Sequence, residues 1–233
     1  MDPRRALSFG TAAAAYDQGR PSYPAEAIAW ALPAEATRVL DLGAGTGKLT
    51  RAVRALGVDV VAVEPDDAMR AAIDGEALAG TAEQIPLPDA SVDAVVAGQA
   101  FHWFDTARAV PEMVRVLRPG GTIGLFWNLF DDRVRWVAEL CALWNPEDTM
   151  SVLAPFGAPL DGPSVGLSSM ERLLVEHVHE LDRDLLEANL RSRSPFILMS
   201  EEERDAKVTA ARALVPERFA LPYVCNTWRA TKA

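Results

Sequence analysis

Residues 41–47 read Asp-Leu-Gly-Ala-Gly-Thr-Gly and stand between two segments of opposite periodicity. Residues 37–42 are short and apolar in their centre, as a buried strand is, whereas Leu49, Ala52, Val53 and Leu56 recur at helical spacing. Gly43, Gly45 and Gly47 at that junction would sacrifice backbone stability without compensation unless a ligand had to approach the main chain closely. A strand, glycine loop and helix in succession also aim free N–H groups at whatever sits there, so a nucleotide-like cofactor is the natural occupant. Glu64 ends the next apolar run, residues 58–63, about 20 residues after Gly43, where a carboxylate can accept hydrogen bonds from ribose hydroxyls.

The alternation continues. Residues 58–63 are nearly continuous Val and Ala, as in a strand covered on both faces, and a second helix is expected through Met69 and Ile73. A weaker strand is expected at 77–81, before a loop in which Pro86 and Pro88 exclude regular helix. Further strands are expected at 91–98 and 122–127, with a helix through Val110, Met113, Val114 and Leu117 between them, closed by Arg118-Pro119-Gly120-Gly121. Strands alternating with helices require crossover connections, which predicts an α/β fold with a mostly parallel sheet and helices on both faces. Beyond residue 130 we expect a helix through Val134, Val137, Ala138 and Cys141, and a Pro- and Gly-rich loop or lid at 145–169. A strand near 173–178, a helix from Asp182, a second helix opened by Ser200-Glu201-Glu202-Glu203 and a last strand near 223–229 complete the reading.

With 233 residues, 49% of them hydrophobic, the chain suits one domain better than two. A formal net charge of -10 opposes a phosphate backbone, so nucleic acid is not the expected partner. Cys141 and Cys225 make neither a disulfide framework nor a zinc spacing, which fits a reducing cytoplasm. The N-terminal segment is too short and polar in its Ala-rich part for a signal sequence, and no window approaches a membrane span.

The spacing G-x-G-x-G after Asp41 differs from the G-x-G-x-x-G of nicotinamide-dependent dehydrogenases. The loop instead resembles the first motif of class I S-adenosylmethionine-dependent methyltransferases. Residues 80–86 (Gly-Thr-Ala-Glu-Gln-Ile-Pro), Ser91-Val92-Asp93 and 116–121 (Val-Leu-Arg-Pro-Gly-Gly) resemble the same family's later motifs, in the same order. Residues 16–24 (Tyr-Asp-Gln-Gly-Arg-Pro-Ser-Tyr-Pro) and 99–105 (Gln-Ala-Phe-His-Trp-Phe-Asp) are similar to segments of its small-metabolite members, the trans-aconitate methyltransferase-like proteins. The resemblance covers residues 35–128 well. It implies a Rossmann-like, seven-stranded sheet, an N-terminal cap over about 1–34, and a lid and substrate region over about 129–233. It also implies S-adenosylmethionine as cofactor, S-adenosylhomocysteine as product and a small-molecule methyl acceptor. No sequence feature speaks to oligomeric state.

Carried onto this chain, the resemblance assigns Gly43, Ala44, Gly45 and Gly47 to the methionine and ribose parts of the cofactor, with Asp41 orienting the loop and Glu64 on the ribose. Pro65 or Met69 would lie against the adenine, as would Thr81, Ala82 and Glu83; many relatives carry Asp where Thr81 stands, so Glu83 or a backbone carbonyl would substitute. Tyr16 and Arg20 would close over the cofactor, with Arg20 near its carboxylate or serving substrate instead, and Gln99 is expected on the cofactor side. Trp103, Trp127 and Asn128 are expected to line the acceptor site. His102 is either an aromatic plug with Phe101, Trp103 and Phe104 or a general base. His177 and His179 share one side of a strand, but no third ligand is evident and no metal is expected. Two rivals are a dehydrogenase and a noncatalytic S-adenosylmethionine-binding protein, the second separable from an enzyme only by turnover.

Overall fold

The computed structural model describes residues 19–143, 151–152 and 158–233. After helix α1 (Ala25–Ala31), the chain alternates β1 (Arg38–Leu42), α2 (Lys48–Arg54), β2 (Asp59–Val63), α3 (Asp67–Arg70), β3 (Ala77–Leu78), β4 (Val92–Gly98), α4 (Thr106–Val116) and β5 (Leu117–Phe130). It continues as α5 (Arg135–Cys141), β6 (Glu171–Asp182), α6 (Arg183–Arg191), α7 (Ser194–Leu198), α8 (Glu201–Ala213) and β7 (Arg218–Thr231). The seven strands form one sheet in the order β3-β2-β1-β4-β5-β7-β6. Strands β1 to β5 pair in parallel, and β7 inserts antiparallel between β5 and β6.

The Val- and Ala-rich runs become the central strands because both faces are covered. On one face Val39, Val60, Ala94 and Val96 pack under Ala27, Ile28 and Val53 of α1 and α2, all fully buried. On the other, Leu40, Val61, Val95, Ile123 and Leu125 meet Ala109, Met113 and Val116 of α4. A third cluster joins Phe130, Leu181, Leu221 and Tyr223 to residues of α5, α6, α7 and α8. It exists because β5, β6 and β7 outrun the five-residue β1 and β2, raising a wall above the parallel strands' carboxyl ends.

Several boundaries differ from expectation for local reasons. Helix α3 stops at Arg70; Ala72 and Ile73 bond three residues back in a tighter turn, and Gly75 takes φ +91°. Strand β5 starts at Leu117 rather than 122, because Leu117 pairs with Val92 and Thr122 with Ala94, leaving the Arg-Pro-Gly-Gly segment as a bulge. Helix α7 is not foreseen in the sequence; Pro195 in its first turn is tolerated where no N–H is needed. The caps follow the sequence: Asp182 accepts from Leu185 N–H and Ser200 from Glu203 N–H. Of the expected lid, residues 145–150 and 153–157 lie outside the described residues, and Leu167 is buried in the α4-side cluster.

Asp93 clamps the amino ends of β1 and β4. Its Oδ2 accepts from Thr37 N–H, Thr37 Oγ1 and Arg38 N–H, each at 2.9 Å, and its Oδ1 from Arg118 at 2.6 Å. Partial burial opposes the charge, but these donors outweigh it and hold the pKa at about 2. A folded pKa below the ordinary 3.8 contributes stability present above pH 4 and lost as pH falls through about 2, on the order of 1 kcal/mol at a site that solvent screens in part. Asp93→Ala is expected to cost about that much in denaturant unfolding at pH 7 and to cost little near pH 2. An equal loss at both pH values would contradict the clamp.

Candidate functional site

The glycine loop closes over the carboxyl end of β1 and is tied to β2 by Gly43 and Ala44 N–H groups donating to the Val63 carbonyl at 2.9 and 3.2 Å. Gly43 sits at φ +69°, and a Cβ there would lie 2.9 Å from the Ala100 Cβ, so only glycine fits. Gly45, at φ +57°, differs: the nearest atom to an added Cβ is Met69 Sδ at 4.0 Å. The loop's glycine backbone there faces open space rather than packed protein.

Two carboxylates lie under and beside this loop. Asp41 is fully buried; Oδ2 accepts from Thr50 Oγ1 at 2.6 Å, while Oδ1 has no hydrogen-bond partner among the described residues. Burial pushes its pKa up to about 7 against the opposing Thr50 hydrogen bonds. Glu64, also buried, accepts from Gly45 N–H at 2.8 Å and from Asp66 N–H at 2.9 Å, and burial raises its pKa. A buried, half-satisfied carboxylate costs stability unless a donor or cation completes it. These acceptors therefore fit a cofactor that brings an ammonium and hydroxyls to this loop, and they oppose the diphosphate of a dinucleotide.

Beside the loop opens a cleft lined by Arg20, Tyr23, Asp41, Gly43, Ala44, Gly45, Lys48, Gln99, Asn128 and Tyr223, among others. Gln99 takes φ +56°, uncommon for a side-chain-bearing residue, and is held there by its N–H on the Phe126 carbonyl and its Nε2 on the Asn128 carbonyl, both at 2.8 Å. Asn128 is fixed from two sides, donating to Ser22 O at 3.2 Å and bonding His177 Nε2 through Oδ1 at 3.1 Å. Arg20 lines the cleft and reaches Ser192 after α6, with Nε to Oγ at 3.1 Å. Tyr23, Lys48 and Tyr223 are cleft residues that sequence reasoning missed. Gly98 held a signal for Tyr23, because a Cβ there would lie 2.5 Å from the tyrosine oxygen.

The structure brings together Arg20, Asp41, Gly43, Ala44, Gly45, Gln99 and Asn128 from the expected set. Glu64 and Met69 flank the loop, Gly47 caps α2 at φ +79°, and Pro65 follows Glu64 in the turn to α3. Thr81 bridges Gln84, Ala82 is buried in the core, and Glu83 accepts from Asp105 N–H at 2.9 Å before α4. These three do not line the cleft. Tyr16 lies outside the described residues.

The aromatic run stands apart from the cleft lining. Trp127 is buried in the α4-side cluster, edge-on to Phe101, on the face of β5 opposite Asn128. Its indole N–H donates to His102 Nδ1 at 3.4 Å, and His102 tilts against Trp103 with ring centroids 4.9 Å apart. His102 keeps one exposed side, yet the aromatic surroundings withhold water from its cation and lower its pKa to about 4. His177, stacked on Tyr223, is lowered to about 4 by burial, and His179 is also lowered by burial.

Comparison with known proteins accounts for this arrangement. A methyltransferase domain family matches residues 40–125, from within β1 to within β5. An uncharacterized methyltransferase of Mycobacterium tuberculosis is 45% identical over 97% of this chain and 96% of its own length. A malonyl-[acyl-carrier protein] O-methyltransferase of Pectobacterium atrosepticum is 36% identical over 61% of this chain and 58% of its own. A structure from Anaeromyxobacter dehalogenans, described as a type II methyltransferase, superposes with TM-score 0.61 at 25% identity, covering 91% of this chain and 97% of that one. With the loop, the acid after β2 and the strand order all pointing the same way, the chain belongs to the S-adenosylmethionine-dependent methyltransferases.

Proposed function

We propose that the cleft binds S-adenosylmethionine and that the enzyme moves its methyl group to an oxygen of a small molecule, a carboxylate in preference to a hydroxyl. The observation that carries the cofactor reading is Asp41 Oδ1, a buried carboxylate oxygen at the cleft without a partner among the described residues. The methionine ammonium would complete it, Glu64 would hold the ribose, and Arg20 would meet the cofactor's carboxylate. Pro65 and Met69 would lie on the adenine. When bound, the cofactor supplies an activated methyl on a sulfonium. The protein's own part is alignment and exclusion of water, worth roughly 7 to 11 kcal/mol for well-oriented reactants.

The acceptor preference rests on the histidines. His102, His177 and His179 all have pKa values below the ordinary imidazole value, which makes each a poor proton acceptor. His102 Nδ1 also receives the Trp127 N–H, so His102 presents its proton on Nε2 as a donor. A carboxylate acceptor is ionised at neutral pH and needs no base. Release of S-adenosylhomocysteine is expected with carboxylic acids and to be weaker or absent with phenols and amines. His102→Gln is expected to leave the rate flat between pH 6 and 9, as in the parent. A rate that rises with an apparent pKa near 6.5 and loses that rise in His102→Gln would contradict this role and make His102 a base.

A further inference from the structure

Tyr223 on β7 is only 1% exposed, yet it lines the cleft. Its ring is taken up by packing: His177 stacks on it with centroids 5.6 Å apart, and Phe130 and His179 meet it edge-on at 5.0 and 6.4 Å. Its hydroxyl oxygen is held by Asn189, whose Nδ2 lies 2.8 Å from it and 2.6 Å from the Gly19 carbonyl oxygen. Two partners fix the orientation of that amide. Arg193 Nε, which can only donate, gives its hydrogen to Asn189 Oδ1 at 3.1 Å, and the Gly19 carbonyl, which can only accept, faces Nδ2. Asn189 therefore spends both Nδ2 hydrogens, one of them on the phenol oxygen, which answers as an acceptor. The phenol's own proton is not used there. Burial raises the phenol's pKa, so the proton stays on at neutral pH, and among the described residues no oxygen accepts it. Arg20 and Pro21, the two residues after Gly19, both line the cleft, so the anchored hydroxyl stands at its edge.

The rest of the lining says which part of a ligand this hydroxyl meets. Asp41, Gly43 and Gly45 of the loop belong to it, whereas Met69 on the adenine side and Trp103 and Trp127 on the expected acceptor side do not. Under the cofactor reading above, on which this inference rests, that stretch of cleft takes the methionine part. The ammonium of that part only donates and the sulfonium is a cation, which leaves the carboxylate to accept a hydrogen bond. We propose that Tyr223 gives its hydroxyl hydrogen to the carboxylate of the cofactor's methionine part, beside Arg20. The antiparallel half of the sheet then contributes a cofactor-binding residue, while Asn189 fills the acceptor side of the phenol and leaves its O–H for the ligand.

The test is isothermal titration of the full chain with two ligands: S-adenosylhomocysteine, and its decarboxylated analogue, which keeps the adenosine, the thioether and the ammonium. The parent is expected to prefer S-adenosylhomocysteine. Tyr223→Phe keeps the ring and removes the hydroxyl; it is expected to weaken S-adenosylhomocysteine by about tenfold, the scale of one hydrogen bond to a charged group, and to leave the analogue's affinity as it is. Tyr223→Met, a side chain of similar length without an O–H, serves the same measurement if the phenylalanine variant does not fold. Unchanged affinity for S-adenosylhomocysteine in the variant overturns the proposal. So does an equal loss for both ligands, because Tyr223 would then only support the wall of the cleft. Equal affinity of the parent for both ligands also overturns it, since no group would be holding the carboxylate. Failure of the parent to bind either ligand strikes the cofactor reading itself, and this role falls with it.

Discussion

Gly45→Asp is expected to abolish the stabilisation that S-adenosylhomocysteine confers on the parent protein. At a ligand concentration about 100 times the dissociation constant, that stabilisation is roughly 2.7 kcal/mol. Gly45 stands at φ +57°, so any side chain strains the loop, and open space lies where its Cβ would project. An aspartate would fill that space and place a third carboxylate beside Asp41 and Glu64. Gly45→Ala separates the causes, since it adds strain and bulk without charge and should weaken binding less. Isothermal titration of the three proteins checks this, and parent-like affinity in Gly45→Asp would sink the loop's assignment.

Asp41→Asn is expected to move stability and affinity in opposite directions. With a folded pKa of about 7 against an ordinary 3.8, the ligand-free protein holds a proton that the unfolded chain has released between those values. Stability from this group therefore falls as pH rises from about 4 to about 7 and stays low above it, a penalty of roughly 4 kcal/mol when complete. Asparagine keeps a partner for Thr50 and removes the charge, so unfolding temperature at pH 8 should rise by several degrees and its fall between pH 4 and 7 should flatten. The same change removes the charge that would meet the methionine ammonium, an interaction worth roughly 1.5 to 3 kcal/mol, so affinity should drop tenfold or more. Because a cation on Asp41 lowers its pKa, cofactor binding near pH 6 should release protons in the parent and none from this group in Asp41→Asn. Calorimetry in buffers of different ionisation enthalpy measures that release; equal proton release from both proteins would contradict the role.

The parallel half of the fold was legible because its signals are local. Continuous Val and Ala marked strands covered on both faces, the glycine loop marked the first turn, and Asp182 and Ser200 marked helix starts. The far side of the sheet was less so. Strand β6 lies at the edge, where Glu171, Arg172, Glu176 and Glu180 break the apolar run that would have shown its full length from Glu171 to Asp182. The site divides in the same way. Asp41, Gly43, Gly45 and Glu64 are read within one βαβ unit, whereas Tyr223 reaches the cleft only through its register opposite Phe130 and His177. Adjacent strand residues point to opposite faces, so Asn128 lines the cleft while Trp127 turns to the α4-side core.

The cofactor assignment is tested most directly by thermal unfolding of the purified protein with S-adenosylmethionine, S-adenosylhomocysteine and NAD at one high, equal concentration. Two buried carboxylates at the loop, one of them short of a partner, predict a rise of several degrees with the two adenosyl ligands, at about 2 to 4 °C per kcal/mol for a protein of this size, and none with NAD. No rise with either adenosyl ligand, or a rise with NAD alone, would contradict the assignment of this cleft to S-adenosylmethionine.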